Sequence, residues 1–150
     1  MSFREYISEV LDSSVEYEWT TQSSVRWEGI FSINNKTFIL NMENRSVHIE
    51  LDITDEDHQM QGWLLEFADA TRGYNFNLTG SGDALQVFGT AGAMLKDWVM
   101  KNSNVPFYFS AKGRSRRKLY STFSKRLRKI LSKDFQEFET IDNSTYFQFS

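Results

Sequence analysis

A chain of 150 residues is long enough for one domain with its own hydrophobic core, and 13 Phe, 6 Tyr and 4 Trp against a single Pro describe a compact globular chain rather than a disordered or fibrous one. The absence of cysteine excludes disulfides, thiolate metal sites and thiol catalysis, and no apolar run reaches the length of a membrane span. The formal charge of −3 hides an asymmetry, because residues 1–70 carry 14 acidic and 4 basic side chains whereas residues 71–150 carry 6 and 13. The mixed charges of Met1 to Tyr6 lack the pattern of a signal peptide, so the expectation is a soluble, cytoplasmic protein.

In chain order, Phe3 to Leu11 has the apolar spacing of a short amphipathic helix. Strand patterns follow at Val15 to Trp19, Val25 to Ile33 and Thr37 to Met42, with Asn34-Asn35 as the turn of a hairpin. Val47 to Ile53 alternates strictly, which turns His48, Glu50 and Asp52 away from the core. Trp63 to Phe67 and Tyr74 to Leu78 complete an expected antiparallel meander of about five or six strands. The rhythm then changes. Ala84 to Val99 holds a helical period capped by Asp83 or Ser81, Val105 to Ser110 reads as a short buried strand, and Leu119 to Leu131 marks one face of a second helix. Phe135 to Glu139 and Thr145 to Phe149 close the chain as a hairpin turned at Asp142-Asn143. The expected fold is therefore a single α+β domain over residues 1–150, with a mixed, mostly antiparallel central sheet.

The stretch from Ala111 to Tyr120 is the most informative one. It sets Lys112, Arg114, Arg116, Arg117 and Lys118 where a strand hands over to a helix, against the positive end of the helix dipole. Something negative is expected there: a phosphate of a ligand or nucleic acid, an acidic partner, or the acidic half of the chain itself. Helical spacing puts Arg116 on the apolar face with Leu119, Tyr120, Phe123 and Leu127, where its guanidinium must meet an acceptor. Lys118, Lys125, Arg126, Arg128, Lys129 and Lys133 lie off that face, as a solvated surface or a contact for an acidic macromolecule. Gly80 and Gly82, ahead of the first long helix, form a second possible anion cradle, although Asp83 competes for the same positive field. The acidic run Asp55-Glu56-Asp57-His58 reads as a solvated loop rather than a metal site. Nucleophile-elbow, Walker and zincin motifs do not occur.

Gln86-Val-Phe-Gly89-Thr-Ala91 matches Arg/Gln-x-x-Gly-x-Gly/Ala, and a Leu-Tyr pair, Leu119-Tyr120, follows in the next strand-and-helix unit. On these residues the last 75 or so resemble the second half of a GNAT N-acetyltransferase. The resemblance implies a GNAT-like fold, acetyl-CoA as a possible cofactor with Gln86, Gly89 and Ala91 flanking its pyrophosphate, and Tyr120 as the general acid that protonates the leaving thiolate. Leu-Thr-Gly-x-Gly at 78–82, Phe-Ser-Ala at 109–111 and Ser-Arg-x-Lys-Leu-Tyr at 115–120 are also similar to small proteins of tailed bacteriophages, which implies a viral origin and the host cytoplasm or the virion as location.

Two functions are therefore expected from different classes. In the first, the chain is an interaction protein without a membrane partner that engages an acidic protein or nucleic acid through Lys112, Arg114, Arg116, Arg117, Lys118 and Arg128. In the alternative it is an acyl-CoA-dependent N-acyltransferase. A structural virion or assembly role is a third expectation.

Overall fold

The computed structural model describes residues 14–51, 57–69, 84–103 and 105–150. The helix expected at Phe3 to Leu11, the strand expected at Tyr74 to Leu78, and Gly80 and Gly82 lie outside the described residues.

Three strands open the described chain: β1 (Tyr17–Gln22), β2 (Arg26–Ile33) and β3 (Lys36–Asn44). They pair antiparallel, and Asn34 and Asn35, with φ of 50° and 64°, make the tight β2–β3 turn. Positive φ at both central residues matches the right-handed strand twist, and Asn adopts it more readily than most side chains. β4 (Val47–Glu50) and β5 (Asp57–Met60) then form a separate two-stranded sheet. β6 (Trp63–Asp69) returns to the main sheet beside β3. Helix α1 (Ala84–Lys101) crosses over to β7 (Phe107–Lys112), helix α2 (Arg114–Leu131) follows, and β8 (Phe135–Glu139) and β9 (Ser144–Phe149) close the chain. The seven-stranded sheet runs in the order β1-β2-β3-β6-β7-β9-β8, antiparallel throughout except where β6 meets β7. The α+β class with a mixed, mostly antiparallel sheet is as expected.

Both helices bury their apolar stripes on one face of this sheet. Val87, Ala91, Met94, Leu95 and Trp98 of α1 and Phe123, Leu127 and Leu131 of α2 share a core with Leu40, Leu65, Phe107 and Phe147 from the strands. Gly29 on β2 leaves the space that Met94 Cε fills, so the helix approaches the sheet closely there. Helix α1 is tied to β1 and to the residues just before it, since the Trp19 indole N–H donates to Asp97 Oδ2 over 2.8 Å and the Val15 N–H donates to Thr90 Oγ1 over 3.0 Å.

The meander is corrected at one point. Val47 to Ile53 reads as a further strand of one continuous sheet, but β4 leaves it to pair with β5, and its start, Asp57-His58, falls within the run read as a solvated acidic loop. The alternation of β4 serves a second, smaller core on the face opposite the helices, built from Ile49, Met60 and Tyr108 with Val47, Leu64, Phe138 and Tyr146. His58 stacks on Phe138 with ring centroids 4.4 Å apart, and Leu51 bridges to Thr140. Periodicity reports which side of a strand is apolar, and either sheet satisfies it.

Candidate functional site

The parallel junction is short. β6 and β7 pair only at Trp63↔Phe107 and Leu64↔Tyr108, and then the strands diverge. Its root is fixed by Gly62, whose φ of +110° few L side chains tolerate and whose Cα packs against the Pro106 carbonyl, and by the Trp63 N–H, which donates to Pro106 O over 3.0 Å. Beyond Leu64 and Tyr108 the facing backbone groups of the two strands are not paired with one another, so N–H and C=O groups line a gap in the sheet.

The gap opens into a cavity of about 340 Å³, bounded by Leu65, Glu66 and Phe67 of β6 and by Phe109 and Ser110 of β7. Strand alternation gives it two different sides. Toward the helices it is aromatic: the Tyr120 ring lies 5.8 Å from Phe109 and is stacked 6.5 Å from Phe67, with half-buried Arg116 one turn earlier on α2. Toward the β4–β5 hairpin it is polar, with Glu66, Ser110, Lys112, Tyr146 and Arg45 around the edge of Val47.

The site's electrostatics follow from this partial burial. Burial pushes the Glu66 carboxyl above its ordinary range; Arg45 opposes the shift and Glu43 adds to it. Burial likewise raises the Tyr120 phenol, against the opposing charge of Arg116. Tyr108 is pushed up to about 12 by burial foremost, and its hydroxyl donates to Arg45 O over 2.5 Å, which anchors the backbone at Arg45. Tyr146 is raised by burial and by Asp142, and held back by its hydrogen bond with Ser110. A carboxyl raised above its ordinary value is a stronger base than a solvated one, and a raised phenol keeps its proton through neutral pH. The cleft thus holds a candidate base on its hairpin side and a candidate acid on its helix side.

The basic residues of the strand-to-helix stretch divide into groups. Lys112 and Arg116 line the cleft. Arg114, Arg117 and Lys118 turn outward and, with Ser121, Thr122, Lys125 and Glu137, line an open groove of about 530 Å³. Arg128 sits apart from both, over the Phe135 ring at 5.8 Å. The α2 N-terminus has no side-chain cap, its N-cap being Gly113 at φ 87°. One negative group near it is Glu139, ion-paired with Arg117, so part of the compensation comes from the C-terminal hairpin and not from the acidic first half.

Gln86, Gly89 and Ala91 lie in α1, Gln86 half-buried and the other two buried. Gly89 and Ala91 are past the first turn, where amide N–H groups are spent on helix hydrogen bonds and cannot cradle a pyrophosphate. The structure therefore brings together Tyr120, Arg116 and Lys112 in the cleft; the Gln86 motif touches this group through Phe88, whose ring meets that of Tyr120 at 5.8 Å, while Gln86, Gly89 and Ala91 are not among the lining residues. Arg45, Glu66, Ser110 and Tyr146 were not anticipated from sequence. Glu66 is legible afterwards as the lone charge in Trp63 to Phe67, and Arg45 as the only base between Lys36 and Arg72. Among the described residues no helix is long and apolar enough to cross a membrane. Comparison of the chain with protein-family models, with curated proteins and with solved structures finds no match.

Proposed function

We propose that the chain is a GNAT-like acyltransferase that takes an acyl-CoA thioester into the cleft between β6 and β7. The observation that carries this reading is the parting of two parallel strands after two paired residues, with the Tyr120 ring over the opening. An extended ligand arm bearing amide groups suits a gap where the facing backbone groups of β6 and β7 are not paired with one another, in the way a peptide adds to a sheet edge. Among the described residues, a single parallel junction within an otherwise antiparallel sheet, and one helix after each of its two strands on the same face, agree with the topology that the resemblance implies.

In this reading the amine nitrogen of an acceptor bonds to the thioester carbonyl carbon as the carbon–sulfur bond breaks. The amine proton passes to the Glu66 carboxylate, and the departing sulfur takes the Tyr120 hydroxyl proton, so that an amide and a free thiol result. The test is calorimetric titration with acetyl-CoA, followed by turnover of Tyr120→Phe. Binding retained and turnover lost supports the assignment; no binding at millimolar acetyl-CoA refutes it.

The outward groove on α2 favours a second reading, that of an interaction protein. Arg114, Lys118 and Lys125 line it without an acid in that helix. Such a surface suits a polyanion, with affinity that falls steeply as salt rises. Arg114→Glu with Lys118→Glu abolishes capture of duplex or single-stranded nucleic acid if this surface is used, and leaves it unchanged if it is not.

A further inference from the structure

The two sides of the cleft are chemically unlike, and the polar side constrains what can be acylated. Leu64 packs in the small core against Tyr108 and Tyr146, so Glu66, two residues along β6, emerges on that same face. Ser110 and Lys112 follow Tyr108 on β7 by the same alternation, and Arg45 closes the rim where β3 gives way to the hairpin. Glu66 and Arg45 are close enough for the guanidinium charge to oppose the upward shift of the carboxyl, yet among the described residues they form no contact ion pair. Their charges are therefore spaced with room between them. Glu43 and Asp142 act on this rim from outside the lining, Glu43 on Glu66 and Asp142 beside Lys112. Arg45 itself is held at its backbone by Tyr108, and its side chain lines the cleft.

A carboxylate at the base of a pocket and a guanidinium at its rim suit a molecule with an amine at one end and an anion at the other. We infer that the acceptor is a small primary amine bearing a carboxylate or phosphate, seated on the hairpin side with its amine beside Glu66 and its anionic group on Arg45, assisted by Lys112. This rests on the acyltransferase reading above. The cleft volume of about 340 Å³ also has to admit the thioester end of the donor, which favours a small acceptor. A protein lysine offers an amine with no anion at a fixed short distance, and would leave Arg45 unanswered.

Matched pairs test this assignment. Thiol release from acetyl-CoA is followed with L-amino acids against their primary amides, with O-phosphoethanolamine against ethanolamine, and with a lysine-containing peptide. The expected result is a kcat/KM at least about 10-fold higher for the anionic member of one pair, the scale of a charge-assisted hydrogen bond lost in the other member. Whichever pair shows the gap identifies carboxylate or phosphate. Arg45→Gln should close that gap by raising KM for the anionic member more than for the neutral one, so that the two members of the pair converge in kcat/KM. Equal rates within both pairs, preference for the lysine peptide, or acetyl-CoA binding without acylation of any anionic amine overturns the acceptor assignment and leaves the donor site standing. Calorimetry on the same preparation reports the donor site separately, and failure of acetyl-CoA to bind overturns both.

Discussion

Two junctions lie side by side in one sheet. β3 and β6 meet along seven residue pairs, from Phe38↔Asp69 to Asn44↔Trp63, whereas β6 and β7 share two. The first is antiparallel, with the β4–β5 hairpin inserted between its two strands; the second is parallel, which requires a crossover and gives slightly weaker pairing per residue. What the backbone does not supply at the second junction is supplied by side chains. Trp98 of α1 is fully buried, with Trp63 on one side at 5.5 Å and Phe107 on the other at 5.8 Å, the two residues that make the first rung of the short ladder. One seam is held by its ladder and the other by an aromatic clasp at its root, and the cleft lies in the space above the clasp.

The strongest way to break this arrangement is Trp98→Ala, expected to cost about 3–5 kcal/mol and to be read as a lowered denaturation midpoint in urea. The same truncation along the long ladder removes packing but no clasp, so an unfolding transition that splits in two only for Trp98→Ala sharpens the distinction. Tyr120→Phe acts above the clasp, and its expected effect is a fall of roughly 100-fold or more in turnover with the melting temperature little changed. Gly62→Ala attacks the root. The added Cβ would meet the Pro106 carbonyl at a positive φ, and a loss of about 1–3 kcal/mol is expected, again by urea denaturation.

Glu66→Gln gives a smaller effect whose sign depends on pH. Because burial raises this carboxyl in the folded protein, the fold binds its proton more tightly than the unfolded chain does. The penalty for ionising it is absent below the ordinary carboxylate range and grows as pH rises through it. Glu66→Gln should therefore raise the melting temperature near pH 7 and change it little near about pH 4. The reverse order would show that Glu66 is held as a stabilised anion. The smallest expected effect is Arg117→Ala, because Arg117 and its partner Glu139 are 47% and 41% exposed, and exposed pairs contribute about 0–1 kcal/mol.

How far these features were legible in the sequence differs from element to element. The helix at Ala84 to Lys101 and the turn at Asn34-Asn35 follow from local signals, a sustained apolar period and residues tolerant of positive φ, and both are present. Arg116 on the apolar face one turn before Tyr120 was likewise readable, since a helix fixes that geometry by itself. The cleft was not readable. Where a parallel ladder stops depends on Gly62 meeting Pro106, 44 positions away, and neither residue announces the other. At Gln86 to Ala91 the conflict is local and readable, since a short pattern that suits a loop falls in a segment whose apolar period makes it helix. Alternation puts Glu66 on the face of β6 opposite Leu65 and Phe67, and the hairpin laid over that face, which strand periodicity does not report, leaves it half-buried.

The unfinished ladder has a consequence for how the molecule breathes. Deuterium uptake along β6 beyond Leu64 and along the first residues of β7 beyond Tyr108 should be faster on the edges that face each other than on the edges that face β3 and β9. On the proposed acyl-CoA reading, a ligand arm in the gap is a temporary strand that joins β6 to β7 while it is bound and reopens the seam when it departs.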